Sequence, residues 1–311
     1  MKNSLLEFLA LKEIKEILKH VGSLADGEKA ILATVLDVRG SGYRLPGARM
    51  LMLANGDTFG TVSGGCLEAD VLERAKKILK SGQPEVFTYD TTGDENSVFS
   101  MNMGCRGVIE ILLEPIGKDS KIVAEMRSAY EDREPSDEFE TPIAVMLFGA
   151  GADAVPFVRI ASELGWQVTV HDHRSAFLTE ERFPDAQELV HQTVDEPPQI
   201  DADDRTAGVI MTHNYARDRF VLRELLASDA FYVGALGPKK RTEQLLAEIA
   251  ATGHTYSEER LARLFAPVGL DIGADTPESI ALSIIGEIQS VLKNRQGTSL
   301  RYRDGSIYDL K

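Results

Sequence analysis

The sequence predicts an α/β chain in which an N-terminal α+β domain is followed by a Rossmann-type, doubly wound parallel sheet. Two stretches carry that expectation. Residues 143–148 (IAVMLF) are a continuous apolar run, and the turn GAGADA follows at 149–154. Residues 155–164 then keep helical periodicity, and a second apolar run at 168–170 ends at His171-Asp172. Gly149, Gly151 and Ala154 fall on the positions of a GxGxxA turn. Asp172 stands about twenty residues on, at the end of the second strand, where an acidic side chain can bind ribose hydroxyls. Ahead of this half, residues 58–77 (TFGTVSGGCLEADVLERAKK) read as a strand end, a Ser-Gly-Gly-Cys turn and an amphipathic helix. In that helix Leu67, Val71, Leu72, Ala75 and Ile78 recur at helical spacing.

Length and charge frame the rest. A chain of 311 residues is most simply two domains. The boundaries expected are an N-terminal domain over 1–118, a charged, Pro-containing connector over 119–141, and the Rossmann-type domain over 142–311. A formal charge of −15 argues against nonspecific binding to nucleic acid or to an anionic membrane surface. Residues 1–18 interleave Lys and Glu with Leu and Ile. They predict an amphipathic helix over 4–20 and not a secretory signal. With no apolar run long enough to span a bilayer, a cytoplasmic location is expected. Two cysteines give no disulfide framework and too few thiols for a Cys-only zinc site.

Taken in order, residues 30–38 (AILATVLDV) predict a buried strand. The loop after it, RGSGYRLPGARMLM, places Arg39, Arg44 and Arg49 within eleven residues. Such a group can clamp phosphate or carboxylate through paired hydrogen bonds. It can equally be surface charge paired with nearby acids. Asn55-Gly56 predicts a hairpin leading toward Cys66. Cys66 sits at the mouth of a helix, where free N–H groups favour a thiolate or a bound anion and Gly64 and Gly65 leave room for a ligand. The alternative is a small residue packed in a tight turn. Residues 86–89 and 108–113 read as strands, and Cys105 lies between them in a second Gly-flanked turn, GCRG. That both thiols occupy turns at the ends of regular elements favours a functional role.

In the second half, residues 207–211 and 230–236 predict further strands. Their trailing loops carry Thr212-His213-Asn214 and Gly237-Pro238-Lys239-Lys240-Arg241, on the edge where ligands of open α/β sheets bind. Thr276-Pro277-Glu278 has the residues of a helix start, and Ile280, Ile284, Ile285 and Ile288 give that helix an apolar face.

The stretches GSGYRLPGARM, GTVSGGCLE, GCRGVIEILLEP, GAGADA, MTHN, YVGALGPKKR and PVGLDIGADTPESIALSI, in that order, resemble the XdhC/CoxI family across about residues 33–292. The first loop departs from many relatives in carrying Tyr43 and Leu45. The resemblance implies an accessory protein that binds the molybdenum cofactor and supports its sulfuration by a cysteine desulfurase. It would then hand the cofactor to an apo molybdenum hydroxylase of the xanthine dehydrogenase or carbon monoxide dehydrogenase type. It implies a cofactor-binding chaperone more than a catalyst, and a homo-oligomer is expected. By the same likeness Cys66 and Cys105 contact the cofactor, with Cys66 toward the metal. Ser63, Gly64 and Gly65, with Arg44 and Arg49, stand where its anionic part would sit. Gly149, Gly151 and Asp172 stand where the Rossmann half could hold NAD(P), another nucleotide or part of the pterin. The competing expectation is an NAD(P)-dependent oxidoreductase with His213 as proton donor.

Overall fold

The computed structural model describes residues 11–40, 42–90, 107–136, 139–193 and 197–304. The chain divides into two compact units, Met1–Thr141 and Pro142–Lys311. Among the described residues no helix is long and apolar enough to cross a membrane.

The first unit is an antiparallel sheet with helices on both faces. Helix α1 (Leu11–Gly22) leads into the long strand β1 (Ala30–Gly40). Strands β2 (Arg49–Met52) and β3 (Thr58–Gly60) follow, then helix α2 (Glu68–Ser81), strands β4 (Glu85–Asp90) and β5 (Gly107–Ile116), and helix α3 (Lys121–Tyr130). The strand order is β3-β2-β1-β5-β4. β1 is central, which explains its unbroken apolar start: alternate side chains serve two cores. Ala30 and Leu32 pack with α1 and α3, through Ile17, Val21, Val123 and Met126. Ile31, Ala33 and Val35 face the other way, onto Val71, Ala75 and Ile78 of α2. Pairing of β1 with β5 runs from Ala30 opposite Ile116 to Gly40 opposite Gly107, with a register shift between Val35 and Asp37. β2 and β3 pair around Asn55-Gly56. Residues 119–141, expected as a connector, contain α3. Its Val123, Met126, Ala129 and Tyr130 are buried in the core of the first unit, and the described residues between Tyr130 and β6 form no helix or strand.

The second unit is a parallel sheet. Its elements are β6 (Ala144–Phe148), α4 (Ala154–Glu163), β7 (Gln167–Asp172), β8 (Glu188–His191), β9 (Thr206–Ile210), α5 (Tyr215–Ala227), β10 (Tyr232–Ala235), α6 (Lys239–Ala251), α7 (Glu258–Leu261), β11 (Leu264–Phe265) and α8 (Pro277–Leu292). The order β11-β10-β9-β6-β7-β8 reverses direction between β6 and β9, as a doubly wound Rossmann sheet does. One face of the sheet, with Val145, Leu147, Val168 and Val170, packs under α4 and α8. On the other face Phe148, Ile210 and Val233 pack with Val221, Leu225 and Leu245 of α5 and α6. α8 starts with Thr276 accepting from Ser279 N and Ser279 Oγ accepting from Thr276 N, a reciprocal cap that satisfies two otherwise open donors.

Candidate functional site

The sequence singles out two Gly-rich turns, one in each unit. In the first unit, Cys66 lies one residue before Leu67, the N-cap of α2, and its thiol is free and exposed. Gly64 and Gly65 are also exposed, whereas Ser63 is buried. Gly65 has φ +100 and open space where a side chain would stand. A Cβ on Gly64 would come within 3.1 Å of the Tyr43 ring, so the loop after β1 lies alongside this turn.

The turn is held by Glu68, a residue that the sequence pattern alone does not mark as part of the site. Its Oε1 accepts from Thr61 Oγ1 at 2.6 Å and from Ser63 N at 2.8 Å. Its Oε2 accepts from Ser63 Oγ and, at 3.2 Å, from Leu67 N. Leu67 N also donates to Ser63 Oγ at 3.0 Å. Burial alone would push the Glu68 carboxyl up, but the hydrogen bonds from Ser63 and Thr61 outweigh it and hold the group below its usual range. An internal carboxylate thus occupies donors at the helix start that a ligand anion would otherwise use. The one sequence signal for it is an acidic residue in the first helical turn, five positions after Ser63.

The three arginines of the preceding loop have partners inside the unit. Arg44 pairs with Glu13 of α1, both largely buried. Arg49 is buried, with Nη1 donating to Gly47 O at 2.9 Å, its guanidinium 4.5 Å from the Phe139 ring centre and its backbone N–H donating to Glu13 Oε2 at 3.1 Å. Burial raises the Glu13 carboxyl, and Arg44 with the Arg49 N–H offsets part of that rise. Arg39 pairs with Glu110 at 2.6 Å and with Asp37 at 3.3 Å. Cys105 lies outside the described residues.

In the second unit, Gly149 has φ +121 and a Cβ there would meet Met211 O at 2.4 Å. Gly151 has nothing within 4 Å of the same point. The first glycine of the turn is needed for close passage between β6 and the end of β9; the second is open. Asp172, at the end of β7, is buried, and both oxygens are engaged. Oδ2 accepts from Ala150 N at 2.6 Å and from Arg174 Nη2 at 2.8 Å. Oδ1 accepts from Arg174 N at 2.8 Å and from Arg174 Nε at 2.9 Å. Burial opposes ionisation, but the hydrogen bonds from Arg174 and Ala150 bring the pKa down to about 2. In this arrangement the carboxylate clasps the Gly-rich turn instead of facing out toward a ribose. His213 adopts φ 56 and is exposed, its Nε2 3.6 Å from Asp153 Oδ2. Arg241 pairs with the buried Asp218 at 2.7 Å, and Lys239 and Lys240 are exposed. Among the described residues no group of three or more His, Cys, Asp or Glu is placed to hold a metal ion.

Comparison with known proteins bears on both units. Residues 145–288 match the family model described as the XdhC Rossmann domain, and residues 23–90 that of the XdhC and CoxI family. A Bacillus subtilis (strain 168) protein named as a probable xanthine dehydrogenase subunit is 30% identical, over 85% of this chain and 94% of its own length. The Escherichia coli (strain K12) protein named molybdenum cofactor insertion chaperone PaoD is 25% identical, over 90% of this chain and 88% of its own. A crystal structure described as a xanthine dehydrogenase from Bacillus halodurans matches with a TM-score of 0.75 at 27% identity, covering 92% of this chain and 98% of that one.

Proposed function

Because the chain belongs to the XdhC and CoxI family, we propose that it is an accessory factor that holds the molybdenum cofactor for a molybdenum hydroxylase of the xanthine dehydrogenase type. In this reading it supports sulfuration of the cofactor together with a cysteine desulfurase and delivers it to the apo-hydroxylase. The observation that carries the proposal is the exposed Cys66 thiol in a glycine turn whose Gly65 flank is open.

The residues present fit such a cofactor in part. A soft, accessible sulfur suits molybdenum or its sulfido ligand. The exposed Gly64 and Gly65 let a bulky group approach the backbone, and Tyr43 offers an exposed ring beside them. Arg44 and Arg49 follow Tyr43 in the chain, but their internal partners mean that they would serve an anionic group only by leaving Glu13 and Gly47. When bound, the cofactor supplies the redox-active metal. What this chain supplies is a thiol held at the turn by the Glu68 clasp and a backbone free of side-chain bulk. The oxidoreductase alternative gains no observation of its own, since both Asp172 oxygens are engaged by Arg174 and Ala150.

The test is pterin and metal content after anaerobic purification. Cys66→Ala should lower copurified molybdopterin about tenfold or more while leaving the melting temperature unchanged, as expected for an exposed side chain. Equal pterin content in variant and parent would remove Cys66 from the mechanism. Pterin-free parent protein that still associates with apo-hydroxylase would favour a chaperone that never touches the cofactor.

A further inference from the structure

The parallel sheet of the second unit is covered unequally. α5 and α6 pack over β9 and β10 and reach Phe148 of β6. The connection from β8 to β9 crosses on toward that same side with no helix among its described residues. Under it lies a cavity of about 580 Å³. Its floor is one face of β6, β7 and β8: Met146 is opposite Thr169, Thr169 opposite Glu188, and His171 opposite Val190. Its roof includes Pro197 and Pro198, described residues of that connection.

His171 is out of place for a residue needed only by the fold. It is 6% exposed, stacked on Phe148 at 4.6 Å between ring centres, and lines this cavity. Among the described residues neither of its ring nitrogens has a hydrogen-bond partner. Leaving a buried polar group in that condition costs about 1–3 kcal/mol. On the opposite face the corresponding β7 positions are Val168 and Val170, which carry no such cost. Burial, with Arg217 adding to it, pushes the imidazole down to about 4. The ring is therefore neutral near pH 7 and presents one donor and one acceptor.

The charges around the cavity narrow the ligand. Arg217 donates from Nη1 to Thr193 O at 2.9 Å and from Nη2 to Gln192 Oε1, tying the start of α5 to the connection. Glu188 and Asp201 add two negative groups to the lining. Two carboxylates against one guanidinium do not suit a polyphosphate. Met146 and Val190 with the Thr169 side chain below, prolines above and a neutral imidazole at the side suit a flat, uncharged ring with hydrogen-bonding edges.

We propose that this cavity binds an uncharged planar nitrogen heterocycle of the nucleobase class, seated between the β6–β8 face and the proline segment and hydrogen-bonded at its edge by His171. This site belongs to the second unit alone and does not rest on the Cys66 reading. The test is calorimetry on the full chain with guanosine and cytidine as probes, and with ribose 5-phosphate as a probe that carries sugar and charge without a base. At least one nucleoside should bind and ribose 5-phosphate should not. His171→Phe should weaken binding about tenfold or more with an unchanged or raised melting temperature. Thr169→Phe, which fills the cavity from a partly exposed strand position, should abolish binding and decides the matter if the first variant does not fold. The proposal is overturned if neither nucleoside binds at about 1 mM, if ribose 5-phosphate binds as well as they do, or if binding survives Thr169→Phe unchanged.

Discussion

The turn at 63–66 and the turn at 149–153 are built on one plan with opposite results. In each, backbone donors of a glycine-rich turn are taken by a carboxylate of the same unit. At the first turn the carboxylate is Glu68, at the head of the following helix. It accepts from the N–H groups of Ser63 and Leu67 and leaves Gly64, Gly65 and Cys66 in solvent. At the second it is Asp172, which arrives from the next strand with Arg174 and is itself buried. The first turn keeps a free thiol accessible while its scaffold is fixed; the second is fixed and exposes no thiol. Similar glycine patterns therefore do not carry similar roles, and the chemistry follows from which atoms the internal carboxylate leaves free.

This contrast can be broken by substitution, most severely at Gly149. Gly149→Ala places a Cβ 2.4 Å from Met211 O at φ +121, and the second unit should lose at least about 3 kcal/mol by urea denaturation. Gly151→Ala, in open space, should change stability by no more than about 0.5 kcal/mol. Equal effects at the two glycines would mean that the close passage to β9 does not constrain the turn.

Asp172→Asn comes next. With the folded pKa at about 2 against an ordinary 3.8, the ionised carboxylate contributes stability that is fully present above pH 3.8 and is lost as pH falls toward 2. The variant should lose about 2 kcal/mol near neutral pH and show a flatter stability profile across that acidic window. An unchanged profile would show that Asp172 does not hold the turn.

A smaller effect than at Asp172 is expected at Glu68, which is less buried. Glu68→Gln replaces an acceptor by an amide group facing donors, and should cost about 1 kcal/mol, read as a modest drop in melting temperature. A loss as large as that at Asp172 would erase the distinction between the two turns.

The sheet architecture is legible in the sequence because it follows from pattern. Residues 30–38 read as a buried strand, and β1 is buried over 30–35, where it serves two cores, but not beyond; the order strand, GAGADA, helix, strand is found as β6, turn, α4 and β7. α3 is masked by the charged stretch after it, although Val123, Met126 and Tyr130 already mark an apolar face. β8 and β11 are short and only partly buried, so neither stands out as a run. The site is less legible because its decisive contacts are distant or sterically set. Nothing near Arg44 or Arg49 in the chain announces Glu13, over thirty residues earlier, as their common partner. The acid after the second strand is visible, but not that its carboxylate turns inward. His171 reads only as a strand ending, since its isolation from hydrogen-bond partners exists only once the sheet is assembled.

That no helix among the described residues of the β8–β9 connection covers β7 and β8 on one face also has a mechanical meaning. Strands clasped by helices on both sides open only when the whole unit opens, whereas β8 is a sheet edge under a bare crossover. Its amides should accordingly trade hydrogen for deuterium ahead of those in β6 and β9, making that border the place where the second unit first breathes.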